Sequence, residues 1–349
     1  MNLKAMFFRR TEATILAVLS LVAIALALTG NLPNFPKNLN PFSATSAHSI
    51  TGAPGIDGPV LVVKIDDTRP AHPQIGVESA DIVYIEQVEG GLTRLAAIFS
   101  SQIPQRIGPV RSARISDIEL LNQYGRVAFA YSGAQRKMRP VIEQANVEDL
   151  GAQSLSSTIY TSDASRTPPY AMVLRADLLM DLIDELSLPI VNSKPMGWNF
   201  GDTPQDGRKI SAAHISWPAS SYDARWSEKE GRWLLDYLGE PNLSDAGIHL
   251  GPATFVIQLV TITDSIYKDK VGGVTPISAT VGKGHGYILR DGRAFKAQWS
   301  RPDSLSGTEW RLENGEEITF ARGQIWVALT DQEPEFTLEG SDAGMKSSK

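Results

Sequence analysis

The stretch DIVYIEQVEGGLTRLAAIF, Asp81–Phe99, sets the pattern from which the rest of the chain is read. Its alternation puts Ile82, Tyr84, Glu86 and Val88 on one face and Val83, Ile85, Gln87 and Glu89 on the other, the period of two that an extended strand requires. Gly90-Gly91 turns the chain, and LTRLAAIFSS returns as an antiparallel partner. Upstream, PVLVVKIDD reads as a buried strand ending in the carboxylates Asp66 and Asp67. Downstream, RVAFAYSG is a further strand. Ser116 with Glu119 form a capping-box pattern for a helix running to Tyr124. AQRKMRPVIEQAN reads as helical with a break at Pro140, and RADLLMDLIDEL has apolar residues at helical spacing. Strands mixed with helices predict an α+β domain over residues 59–190.

The low-periodicity stretch VNSKPMGWNFGDTPQDGRKIS places an interdomain linker at 191–211. Beyond it the chain is predicted to be mostly antiparallel β, over 212–330. SYDARWSEKEGRWLL reads as a hairpin and ATFVIQLVTITDSIY as one long strand. Asp291-Gly292 and Asn314-Gly315 are hairpin turn signals, and GQIWVAL closes the set. GKGHG, Gly282–Gly286, resembles a phosphate loop but lacks its helix and Lys-Ser/Thr ending, so a bulged turn is expected. The polar tail, 331–349, is predicted disordered.

At the other end, Lys4, Arg9 and Arg10 precede an apolar run from Ala13 to Thr29. Its length and flanks predict a signal anchor over residues 1–30, a single transmembrane helix with a cytoplasmic amino terminus and an exported remainder. A Pro-, Asn- and Ser-rich linker, 31–58, follows. The predicted fold class is therefore an N-terminal membrane anchor, a mixed α+β domain and a mostly antiparallel β domain. A chain of 349 residues without cysteine excludes disulfides and thiolate chemistry, and a net charge of -6 argues against a nucleic-acid partner.

Against that acidic balance, RIGPVRSARISDIELL gathers Arg106, Arg111 and Arg114 within nine residues, running into a helix amino terminus. Guanidinium forks match phosphate and carboxylate geometry, and Ser112 and Ser116 add hydroxyl donors. Arg94, Glu86 and Glu89 belong to the preceding hairpin, which meets this loop at one end of the sheet. Two readings stand side by side. In one, the arginines pair with Glu86, Glu89, Asp66 or Asp67 and fix the loop. In the other, Arg94, Arg106, Arg111, Ser112 and Arg114 with Glu86 and Glu89 line a site for an outside anion. No catalytic residue stands out, and Ser132-Gly133 reads as a turn, not a nucleophile elbow. The five histidines show no metal-ligand spacing, so neither metal nor cofactor is expected. Exposure of Trp226, Trp233, Trp299 and Trp310 would separate sheet packing from an aromatic glycan platform.

The blocks EGGLTR and GPVRSAR, with GHGYILRDGRAFKAQWSR and NGEEITFARGQIWVAL, resemble the YerB-like lipoproteins, a two-domain bacterial family of unknown function. The resemblance covers about residues 59–330 and implies an envelope-facing protein with no established reaction. This chain lacks the family's lipobox cysteine, carries SRTPPYAMV where a Pro-His-Asn block is usual, and has Asp67-Thr68 where an Asn-His pair is common. The function expected is that of an extracytoplasmic membrane-anchored protein gripping an anionic cell-wall polymer or lipid head group through the arginine loop. The alternative is a cell-envelope phosphotransferase or hydrolase in which Asp66, Asp67, Glu86 or Glu89 bind a metal or move protons.

Overall fold

The strand Ile325–Thr330 is buried at every position and lies at the middle of a 15-stranded sheet. Its uninterrupted apolar run, IWVAL, is what burial on both faces demands. The structure is a computed structural model in which residues 46–269 and 272–340 are described. On one side Ile325–Thr330 pairs in parallel with β2 (Ile82–Gln87), Ile82 opposite Ile325 and Ile85 opposite Ala328. On the other it pairs in parallel with Thr254–Leu259. From β2 the sheet continues through β3 (Thr93–Phe99), β1 (Leu61–Asp66), Val127–Ala130 and Val147–Asp149. From Thr254–Leu259 it continues through Gly282–Arg290, Arg293–Arg301, Arg208–Trp217, Ser220–Ser227 and Arg232–Tyr237. Strands from before and after residues 191–211 thus share one hydrogen-bonded sheet.

The described residues are mostly β, with 43% strand against 11% helix, which overturns the α+β expectation for the first part of the chain. Three short α-helices are described, α1 (Ile115–Asn122), α2 (Arg139–Gln144) and α3 (Ala176–Glu185). None is long enough to form a helical layer over a sheet this wide, so the apolar faces are covered largely by other strands and loops. Pro140 opens α2 and does not break it, since its missing N–H falls in the turn that has no intrahelical acceptor. The predicted signal anchor, 1–30, and the first part of the predicted linker, 31–45, lie outside the described residues. Among the described residues no helix is long and apolar enough to cross a membrane.

Other differences have local causes. Residues 46–58 carry the buried His48 and Ile50, with Ser193 Oγ donating to Asp57 at 2.8 Å. The stretch read as one long strand divides: Thr254–Leu259 stays in the sheet, while Ile262–Lys268 pairs with Val274–Ser278 in a separate two-stranded arm. The break falls where Val260 N–H reaches Thr330 O, the end of the central strand. GKGHG is strand and not turn: it opens Gly282–Arg290, and a Cβ at Gly286 would lie 2.1 Å from Ile257 O on the neighbouring strand. Only glycine allows that approach. Asp291-Gly292 does form the hairpin turn, with φ of 49° and 67°. Part of the tail is ordered, because Glu335–Leu338 adds to the edge of Arg208–Trp217.

Candidate functional site: an arginine-lined cavity

The register of β1, β2 and β3 assembles the site's floor. Arg94 lies opposite Asp66 on β1 and opposite Glu86 on β2. Alternation then places Lys64, Asp66, Glu86 and Arg94 on one face of the sheet. Across the end of that face runs Gly108–Arg114, pinned between strands by backbone bonds. Asp66 N–H donates to Pro109 O at 2.9 Å, Arg111 N–H to Lys64 O at 2.7 Å, Ser132 N–H to Arg111 O at 2.9 Å and Ala113 N–H to Gly133 O at 3.0 Å. The arginine loop is therefore held on both flanks.

Helix α1 is capped by Asp117, whose Oδ2 accepts the Arg114 N–H at 2.5 Å, and not by the predicted Ser116–Glu119 pair. Ser116 and Glu119 instead hold the base of the arm. Ser116 Oγ accepts Ser278 N–H at 3.1 Å, and Glu119 Oε1 accepts Thr280 N–H at 3.0 Å and Val281 N–H at 3.1 Å. The helix's amino-terminal charge preference is thus already met from within the chain.

Arg94, Arg111, Ser112 and Arg114 line a single cavity of about 610 Å³, closed on its other walls by Ser132–Gln135, Tyr160–Ser162 and Pro168-Pro169. The three guanidiniums differ in how far the chain satisfies them. Arg114 is the most fully engaged: Nε and Nη2 donate to Glu89 Oε2 at 2.9 and 2.8 Å, and Nη1 to Ala113 O at 3.0 Å. Glu89 Oε1 also accepts from Thr275 of the arm. Its carboxyl is held below the usual range, the cost of burial being exceeded by Arg114 and Thr275. Arg111 Nε lies 2.6 Å from Asp66 Oδ2, and its two Nη groups have no partner among the described residues. Arg94 is 8% exposed and gives one N–H to Ser112 O at 3.0 Å. It has no ion pair among the described residues. Burial, with Arg114 and Arg111 alongside, lowers its pKa to about 9.

Beneath this rim sits a buried layer that sequence reading did not assemble. Lys64 Nζ is 2.8 Å from Glu86 Oε1 and 2.6 Å from Asp117 Oδ1, all three side chains being at most 1% exposed. Burial, reinforced by Asp117, pushes the Glu86 carboxyl up to about 8, so it keeps its proton at neutral pH. Glu86 supports the floor and does not line the cavity.

Two sequence candidates lie elsewhere. Arg106 sits on the short strand Arg106–Ile107, beyond Gly108-Pro109, where it pairs with Asp163 at 3.2 Å at the surface. Asp67 faces the opposite side of the sheet, accepting from Tyr222 Oη at 2.6 Å, Thr93 Oγ1 at 2.5 Å and Gln74 Nε2 at 3.0 Å. Among the described residues no three His, Asp or Glu side chains are placed to hold a metal. Trp233, Trp299 and Trp310 are buried and Trp226 is half-buried, so they pack the sheets and offer no exposed platform. The wall from Ser132 to Pro169 went unrecognised because its residues are ordinary turn formers, brought in by the antiparallel pair Tyr160–Ser162 and Met172–Arg175.

Comparison with known proteins matches two family models in order along the chain. Residues 50–188 match the N-terminal domain, and residues 213–327 the C-terminal domain, of a protein of unknown function, DUF3048. A curated relative, "Putative lipoprotein YerB" of Bacillus subtilis (strain 168), is 32% identical over 112 residues, 32% of this chain and 33% of that protein. The match spans about a third of the relative's length. The crystal structure of YerB from Bacillus subtilis superposes with a TM-score of 0.71 at 18% identity, covering 84% of this chain and 99% of that one. That likeness establishes the shared fold.

Proposed function

The chain belongs to the DUF3048 family, and from that premise we propose that it is an extracytoplasmic, envelope-associated protein that binds an anionic ligand in the arginine-lined cavity. Its relative's description as a lipoprotein supports the location. The observation that carries the binding reading is Arg94. A cation buried to this degree is ordinarily matched by an acid. Here the nearby carboxylates are committed: Asp66 to Arg111 and Thr68, Glu89 to Arg114 and Thr275. Arg94 and Arg111 keep N–H donors toward a cavity roomy enough for a ligand, and an external anion would supply the missing partner.

Of the carboxylates that a phosphotransferase or hydrolase would use as base or metal ligands, Asp66, Glu86 and Glu89 are engaged by Arg111, Lys64 and Arg114, and Asp67 faces the opposite side of the sheet, which favours binding over catalysis. The test is calorimetric titration of the full chain with inorganic phosphate and with vesicles of phosphatidylglycerol. Arg111→Ala is expected to weaken phosphate binding by about 1.5–3 kcal/mol, the worth of a hydrogen bond to a charged group. Unchanged binding with a lowered melting temperature would show that Arg111 serves only to hold the loop.

A further inference from the structure

Resting on that reading, we infer that the cavity takes an anionic group with a single negative charge shared by two oxygens, a carboxylate or a phosphodiester, in preference to a doubly charged phosphomonoester. The geometry points to this through a count of partners. Four cations meet at the site: Lys64, Arg94, Arg111 and Arg114. Three are matched one to one, Lys64 by Asp117 at 2.6 Å, Arg111 by Asp66 at 2.6 Å and Arg114 by Glu89 at 2.8 Å. Among the described residues Arg94 alone of the four is left without an ion pair, and it is a buried guanidinium with donors to spare. One ligand charge neutralises it. A second charge would be buried without a counterpart, which costs several kcal/mol unless a proton accompanies it. The remaining acid at the mouth, Asp269, already accepts the Gly273 N–H at 2.7 Å.

The shape of the donors agrees. Two oxygens on one centre suit the parallel N–H pair of a guanidinium edge. Around them the cavity mixes hydroxyl and amide groups, from Ser112, Ser132, Gln135 and Ser162, with apolar patches at Met172 and Pro169. This lining accepts a body that is hydroxylated on its edges and apolar on its faces.

The charge balance also ties binding to the buried proton of Glu86. The groups facing that carboxyl are Lys64 on β1, Asp117 on α1 and Arg94 across on β3. When Glu86 loses its proton the positive charge of these groups falls by one, so anion affinity falls as pH rises past the point of its ionisation.

The experiment titrates the full chain with dimethyl phosphate, acetate and methyl phosphate by calorimetry in two buffers of different ionisation enthalpy. At pH 7.5 dimethyl phosphate is expected to bind about tenfold more tightly than methyl phosphate, whose second ionisation lies near pH 6. Any methyl phosphate that binds should bring a proton with it. From pH 6.5 to 8.5, below the point at which Arg94 itself loses its charge, dimethyl phosphate affinity should drop severalfold in the wild type and stay nearly level in Glu86→Gln. Tighter binding of methyl phosphate without proton uptake would overturn the inference while leaving anion binding intact. A flat wild-type pH profile would do the same for the role of Glu86, whether or not Glu86→Gln folds. Failure of all three probes to bind would remove the proposed function as well.

Discussion

Replacing Arg94 by methionine should make the protein more stable and less able to bind. Burial beside Arg114 and Arg111 brings Arg94 more than about three pH units below the ordinary arginine range, to about 9. Each pKa unit corresponds to about 1.36 kcal/mol, so holding this charge in the empty cavity at neutral pH costs the fold roughly 5 kcal/mol. Methionine fills much of the same volume without charge. It gives up one hydrogen bond, that to Ser112 O, worth about 1.5–3 kcal/mol when the donor is charged. The difference leaves a net gain of about 2–3.5 kcal/mol. At roughly 2 °C per kcal/mol for a chain of this size, scanning calorimetry should show a melting temperature about 4–7 °C higher than wild type. The same variant should lose at least tenfold in affinity for dimethyl phosphate, because the group that receives the charge is gone. Opposite signs in the two measurements mark a residue kept for binding. A melting temperature lower than wild type would refute the reasoning, since Arg94 would then be a structural tie whose charge the chain already satisfies.

Arg106→Ala should change neither anion affinity by more than about twofold nor stability by more than about 0.5 kcal/mol, because its pair with Asp163 is exposed; a larger loss of binding in the same titration would return Arg106 to the site. Glu86 keeps its proton in the folded state up to about pH 8, whereas an unfolded glutamate loses it near 4.5. Its contribution to stability therefore falls as pH rises between those values, and denaturant titrations should show Glu86→Gln gaining on the wild type across that window. Tyr222→Phe removes one of the donors to the fully buried Asp67 and should cost about 1.5–3 kcal/mol in a urea melt. Glu119→Ala strips three hydrogen bonds from Thr280 and Val281, so hydrogen exchange should quicken in the strands Ile262–Lys268 and Val274–Ser278 while the central sheet stays protected.

What could be read in advance was the local grammar. Asp81–Phe99 announced its hairpin because alternation and Gly90-Gly91 are properties of neighbouring residues, and the observed register of Glu86 opposite Arg94 follows from them. Arg111, Ser112 and Arg114 were legible as a group for the same reason, as their loop joins one strand to one helix. Arg106 was misplaced by a nearness that holds only along the chain: the short strand carrying it pairs with Met172–Arg175, which takes its side chain away from the cavity. The mostly β fold was hidden because pairings such as Ile82 with Ile325 span most of the chain. An apolar run reports that it is buried and says nothing of what lies beside it. Lys64, Glu86 and Asp117 met the same obstacle, each unremarkable alone and coupled only once three elements are packed.

The position of Ile325–Thr330 has a consequence for how this protein can be made. Ile325–Thr330 separates β2 from Thr254–Leu259 and follows both in the chain, so a ribosome delivers this strand only after both of its neighbours. Until that segment emerges, β2 and Thr254–Leu259 each present a bare apolar edge, the kind that invites pairing with another chain. A fragment cut to the N-terminal family domain, residues 50–188, would inherit the bare edge of β2 permanently, and a nascent chain must be kept from its neighbours until Ile325–Thr330 has emerged.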